Sequence, residues 1–237
     1  METSELIRGV SRAAAITGSA VLAGASSGQI AFTPVGVPDG LLDADGDLVP
    51  IDLNGNGTSD FDVLYTEPAA GNLNIKIEGT PFDGAGNVTD EILVDSTAPI
   101  GEASNPLALG FGEVIGPDET PERAWQFVGQ TGTGNSPSGV SNTNGGGNFR
   151  TVGAEEFIGI RTIIDGNLHY GWIGIEITEL SEGPTSADDR LTGVVTGFAY
   201  ETTPDLAILA GAIPAPGTAA VLALGAVASA SRKRREA

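Results

Sequence analysis

The most constraining feature of this 237-residue chain is a pair of apolar runs joined by a minimal turn. Phe157-Ile158-Gly159-Ile160-Arg161-Thr162-Ile163-Ile164 leads into Asp165-Gly166-Asn167, then Leu168-His169-Tyr170-Gly171-Trp172-Ile173-Gly174-Ile175-Glu176-Ile177. β-Branched and aromatic residues fit a pleated surface, and Asp-Gly supplies the positive φ angles that a two-residue hairpin turn requires. The pattern therefore predicts a β-hairpin. Side chains alternate across a strand, so Ile173, Ile175 and Ile177 share one face, and Tyr170, Trp172, Gly174 and Glu176 share the other.

Similar but shorter signals recur. Ile30–Val37, Phe61–Tyr65, Leu73–Ile77, Glu91–Val94, Trp125–Val128 and Leu191–Tyr200 read as strands separated by Gly, Asn, Asp and Pro. Helical periodicity is nearly absent between Ser26 and Ala212. The fold expected is all-β, a β-sandwich of jelly-roll or lectin-like type. Asp39–Asp60 is an acidic, Gly-rich stretch, Phe82–Asn87 a turn and Ala98–Thr120 a mixed loop. Gly129–Asn148, rich in Gly, Ser, Asn and Thr, is expected to be a long mobile loop.

Within the acidic stretch, Asp52-Leu53-Asn54-Gly55-Asn56-Gly57-Thr58-Ser59-Asp60 places side-chain oxygens at positions 1, 3, 5 and 9. Adding the Thr58 carbonyl gives a spacing able to wrap a loop around Ca2+. Val63 stands at position 12, where an EF-hand has Glu, so the loop is of another kind. Asp43, Asp45 and Asp47 lie just upstream and could add carboxylates or hold a second ion. The calcium role expected is structural. A polar Asx/Gly turn that needs no metal is the alternative.

Signals for catalysis are poor. His169 is the only histidine, which rules out any site needing two. Glu155 and Glu156 are adjacent on a strand and point to opposite faces, so they make a poor glycosidase pair. No nucleophile elbow or phosphate-binding Gly loop occurs. Tyr170 and Trp172 share a face and could stack on a sugar, with Trp125 as a further platform. Packing in the core is the commoner fate of such rings. There is no Cys, hence no disulfide framework.

The two ends differ from the middle. Arg8 and Arg12 precede an apolar segment, Ala13 to Ala25, that closes on the small-x-small sequence Ala23-Gly24-Ala25. This is the layout of a secretory signal peptide, which implies use of the secretion translocon and signal peptidase. At the other end, Ile213-Pro214-Ala215-Pro216-Gly217 precedes an uncharged apolar run, Thr218 to Ala230. The basic cluster Arg232, Lys233, Arg234 and Arg235 follows. Proline cannot continue a helix, so a helix would begin after Pro216. The run is shorter than the roughly 20 residues of a full span. Clustered Arg and Lys favour the cytoplasmic side. Residues 26–212 hold 28 acidic and 5 basic side chains, a formal charge of about −23. That field attracts cations and repels nucleic acid and anionic lipid.

The C-terminal layout resembles the PEP-CTERM sorting signal of exported bacterial proteins: Pro-Glu-Pro, a short transmembrane helix and an Arg-rich tail. Here Ala215 stands where that family usually has Glu. The stretch Leu191–Tyr200, continued by Glu201-Thr202-Thr203-Pro204, is also similar to the C-terminal half of many such proteins. The resemblance implies processing at Pro214–Gly217 by exosortase, a membrane cysteine transpeptidase, and a link with exopolysaccharide and biofilm matrix. The plan expected is a signal peptide (1–25), an exported acidic β-sandwich domain (26–212) and a sorting signal (213–237). Such a chain would be tethered to the inner membrane facing the periplasm, then delivered to the cell surface or beyond. The function expected is noncatalytic. A carbohydrate-binding, lectin-like module is the alternative, and a secreted glycan hydrolase is the weakest reading.

Overall fold

The computed structural model describes residues 29–67, 72–79, 90–95, 105–117, 122–127, 138–143 and 145–214. The expected signal peptide, the Phe82–Asn87 turn and residues 215–237 of the expected sorting signal lie outside them. The described chain is all-β. Its one helical element is a three-residue 3-10 turn, Ser186–Asp188. No helix among the described residues is long and apolar enough to cross a membrane.

In chain order the strands are β1 (Ile30–Pro34), β2 (Leu41–Leu42), β3 (Leu48–Ile51), β4 (Phe61–Thr66), β5 (Asn74–Gly79), β6 (Glu91–Asp95) and β7 (Val114–Ile115). They continue with β8 (Arg123–Phe127), β9 (Ser138–Asn142), β10 (Glu155–Ile164), β11 (Asn167–Ser181), β12 (Arg190–Glu201) and β13 (Ile208–Leu209). The larger sheet runs β1-β12-β11-β10-β6-β8, with β2 also paired to β12. A second sheet runs β3-β4-β5-β9, and β7 with β13 forms a small ribbon. Every strand pairing is antiparallel.

The predicted hairpin is the centre of the larger sheet. Ile164 pairs with Asn167 across Asp165 (φ 51°) and Gly166 (φ 78°). Two consecutive positive φ angles are those of a type I′ turn, whose twist matches the strands it joins. Strand β11 lies between β10 and β12 and is buried on both faces along its middle. Ile173, Ile175 and Ile177 join an apolar cluster with Val49, Ile51, Phe61, Val63, Ile75 and Ile77 of the second sheet. Full burial of each such side chain contributes about 1.5–3 kcal/mol. Tyr170 and Trp172 point the other way, into a separate cluster with Leu93, Leu109, Ile115, Trp125, Phe157, Ile208 and Ala210. The β7–β13 ribbon thus covers part of the face that the second sheet does not reach.

Two segments expected as loop carry strands. The Gly129–Asn148 stretch holds β9, which pairs with β5 and buries Val140 completely. Its glycines serve a close return of the chain. Gly147 (φ 81°) bridges to Ser141, and a Cβ there would lie 2.4 Å from the Val140 carbonyl oxygen. The Ala98–Thr120 stretch holds β7, and its Leu109 bridges to Phe157. The acidic stretch Asp39–Asp60 likewise contains β2 and β3.

Candidate functional site

Loop 52–60 is the connection between β3 and β4, and its oxygens hold its own backbone. Asp52 Oδ1 accepts from the amides of Gly55 (2.8 Å) and Asn56 (3.1 Å), and Oδ2 accepts from Gly57 (2.7 Å). Asn54 Oδ1 accepts from the Asn56 amide (3.0 Å) and Asn56 Oδ1 from the Thr58 amide (2.7 Å). Asp60 Oδ2 accepts from the Leu53 amide (2.8 Å) and closes the loop. Burial raises the Asp60 carboxyl above its ordinary pKa. The Leu53 hydrogen bond opposes that shift, and the negative charge of Asp52 adds to it. A cation placed beside Asp60 would relieve both the burial cost of its charge and the repulsion from Asp52.

The Asp43–Asp47 loop does not share that site. It precedes β3, at the end where Leu48 pairs with Leu64, whereas loop 52–60 follows Ile51 and Phe61 at the other end. Five residue steps of extended chain separate Asp47 from Asp52, roughly 16 Å. Asp47 Oδ2 accepts from the amides of Asp43 (2.9 Å) and Ala44 (2.7 Å), and Asp45 Oδ1 accepts from the Glu67 amide (2.8 Å). Tyr65 lies beside this loop. Burial pushes its phenol up to about 12, helped by Glu67, Asp43, Asp45 and Asp47. Among the described residues no three His, Asp or Glu side chains group as a metal site. Loop 52–60 would in any case present only two carboxylates, its other donors being amide and carbonyl oxygens.

The rings considered for glycan stacking are inside the molecule. Tyr170 and Trp172 are each 2% exposed. Tyr170 packs on Trp125, with ring centroids 5.7 Å apart. The Arg161 guanidinium lies 4.8 Å from the centre of the Trp125 ring. Trp172 packs against Phe32 and meets Phe157 edge-on, and its Nε1 donates to the Ala212 carbonyl (3.2 Å). His169 is buried, with Nδ1 2.8 Å from the Glu201 carbonyl oxygen.

One edge of Trp172 does reach a pocket of about 240 Å³, which it lines together with Phe32, Phe111, Glu155, Phe157 and Thr196. Gly197 and Gly211 also line it, and Gly197 pairs with Gly174 of β11. Immediately beside them the register slips between Gly174 and Ile175, leaving Thr196 as the extra residue. Such a bulge re-aims a side chain, and here the Thr196 hydroxyl donates to the Glu155 carboxylate. Glu156 turns away, accepts from the Thr151 hydroxyl (3.3 Å), and is raised in pKa chiefly by burial. The two carboxylates therefore face different surroundings. Sequence reasoning missed this pocket because its walls come from β1, β10, β11, β12 and two loops. The Gly174–Gly197 pairing depends on a register that periodicity does not encode.

No family model matches the chain, no curated protein is significantly similar to it, and no solved structure matches its fold.

Proposed function

We propose that this is a noncatalytic exported protein, tethered to the inner membrane through its C-terminal segment. In this reading an exosortase-type transpeptidase processes it, and it is delivered to the cell surface or extracellular matrix. The observation that carries the proposal is the order Pro214-Ala215-Pro216-Gly217, uncharged apolar run, Arg232-Lys233-Arg234-Arg235. The acidic, cysteine-free β domain ahead of it fits an extracytoplasmic role. We read its two sheets as packed face to face, a β-sandwich of jelly-roll or lectin-like type, on the strength of the apolar cluster they share. The test is the intact mass of the protein recovered from its native cells beside a recombinant control. Loss of the residues beyond a cut near Pro214–Gly217 is expected, with or without an added moiety. A native chain still ending at Ala237 would overturn the processing step.

Calcium belongs to the same proposal as a structural ligand of Asp52, Asn54, Asn56, Thr58 and Asp60. The oxygen order and the Asp52–Asp60 repulsion support it. Extracellular calcium modules bind with dissociation constants of about 0.1–1 mM. At about 10 mM Ca2+ the domain should therefore gain roughly 1.5–3 kcal/mol by mass action. A thermal melt should rise with Ca2+, return with chelator, and lose the response in Asp60→Asn. A melt indifferent to Ca2+ would leave the loop as the self-bonded Asx turn that its hydrogen bonds already make.

Carbohydrate binding is the second reading, and the pocket favours it. Aromatic edges beside one carboxylate and one hydroxyl are groups suited to a sugar ring.

A further inference from the structure

Residues 106–116 and 206–214 form the ribbon side of the domain, and between them they contain one ionisable side chain, Glu113. The rest of residues 26–212 is strongly acidic. Even Glu113 is paired, accepting from Arg123 at 2.7 Å. Four large apolar side chains stand in solvent on this side: Phe111 (80% exposed), Val114 (58%), Leu209 (48%) and Ile213 (57%). Val114 and Leu209 are directly opposite each other in the ribbon, while their neighbours Ile115 and Ile208 are buried. Phe111 lies against Gly211, and Phe111 and Ile213 line the same pocket. Apart from the Glu155 carboxylate in that pocket, the four give this side an apolar surface on an otherwise anionic domain, a pattern that marks contact with a membrane or another protein.

The position of the surface selects between these. The described chain leaves it at Pro214, and the apolar run begins at Thr218. Four residues span at most about 14 Å, so a membrane holding that run lies within reach of the patch. We propose that the β7–β13 ribbon, with Phe111 and Ile213, is a lipid-facing surface that seats the domain on the bilayer interface beside its tether. This rests on the reading of residues 218–230 as a membrane anchor. The patch lacks free positive charge, and the domain is anionic, so the lipid surface it suits is zwitterionic.

The absence of native Cys makes the test direct. The full chain, reconstituted in phosphatidylcholine vesicles, would carry a nitrobenzoxadiazole label on Val114→Cys or Leu209→Cys, with Leu48→Cys on the second sheet as the remote control. The substituted side chains are exposed, so the fold is retained. Emission at positions 114 and 209 should rise about twofold or more relative to position 48, and nitroxide-labelled lipid should quench it. Alkaline extraction of the vesicles tests the anchor separately. A chain that resists extraction while both labels remain water-exposed overturns the lipid-facing surface alone. Labels that are shielded but not quenched by nitroxide lipid also overturn it, and point to a protein or a second copy as the cover. A chain released by alkali overturns the anchor, and the lipid-facing surface falls with it.

Discussion

Trp172→Ala is expected to lower the free energy of unfolding by about 3–5 kcal/mol, the range for truncating a buried aromatic. The ring is 2% exposed and sits in β11, with hydrogen-bonded strands on both sides. It packs against Phe32 at 5.8 Å and Phe157 at 5.2 Å between centroids. Its loss also leaves the Ala212 carbonyl without the indole donor. Urea unfolding with an unchanged m-value would report the loss as stability. Phe111→Ala, at a site 80% exposed, should stay within about 0.5 kcal/mol of the parent. A Trp172 variant costing under 1 kcal/mol would mean that the ring is not the packing element described.

This result decides how carbohydrate binding can be tested. A Trp172→Ala chain that fails to bind a glycan would report a loosened pocket wall as readily as a lost contact, so the ring is a poor probe. Glu155→Gln keeps the shape, removes the charge, and still offers an oxygen to Thr196. If a glycan occupies the pocket, that substitution weakens binding while the unfolding midpoint holds. Undiminished glycan binding in Glu155→Gln would place the sugar elsewhere or remove the lectin reading.

The hairpin was legible because three signals coincide at residues 157–177: period-two alternation, β-branched residues and the Asp165-Gly166 turn. The two faces read from that alternation are the two clusters observed. Ile173, Ile175 and Ile177 are in one, and Tyr170 and Trp172 in the other. Strand β9 was hidden because Val140 is the only large apolar residue in Ser138–Asn142. Glycines that look like looseness in a sequence are needed there for a tight chain return. Strands β7 and β13 are two residues long, and their pairing spans roughly ninety residues of chain, beyond the reach of local pattern. The same limit hid the pocket. In the sequence Glu155 stands out only as half of an implausible catalytic pair. Its actual partner, Thr196, is set by a bulge in a strand 41 residues away. The acidic loops were visible individually, but only the β3–β4 register shows them to be at opposite ends.

Glu91→Ala is expected to cost about 3 kcal/mol, and replacing its partner as well should recover most of that loss. Strand β6 is attached to β10 through two residue pairs, Ile92 with Ile160 and Glu91 with Arg161. The Glu91 and Arg161 side chains are bonded to each other and are 11% and 19% exposed. Beside them, Thr162 donates to the buried Asp90 carboxylate, and Arg161 also lies over the Trp125 ring of β8. Removing Glu91 leaves a guanidinium mostly out of water without its counter-charge, the situation in which breaking a buried pair is most damaging. Glu91→Leu with Arg161→Met removes both charges and keeps the volume, so the double variant should fall within about 1 kcal/mol of the parent. The comparison is a double-mutant cycle read by urea unfolding. Trp125 fluorescence, read in a Trp172→Phe background because the chain holds two tryptophans, supplies a local signal, since among the described residues β8 pairs in the sheet with β6 alone. In Glu91→Ala that signal should change at lower urea than far-UV circular dichroism, and in the double variant the two should coincide. Coincident transitions in Glu91→Ala would mean that the β6–β8 edge unfolds only with the whole sheet. The ion pair would then contribute to global stability without acting as the local clasp of that edge.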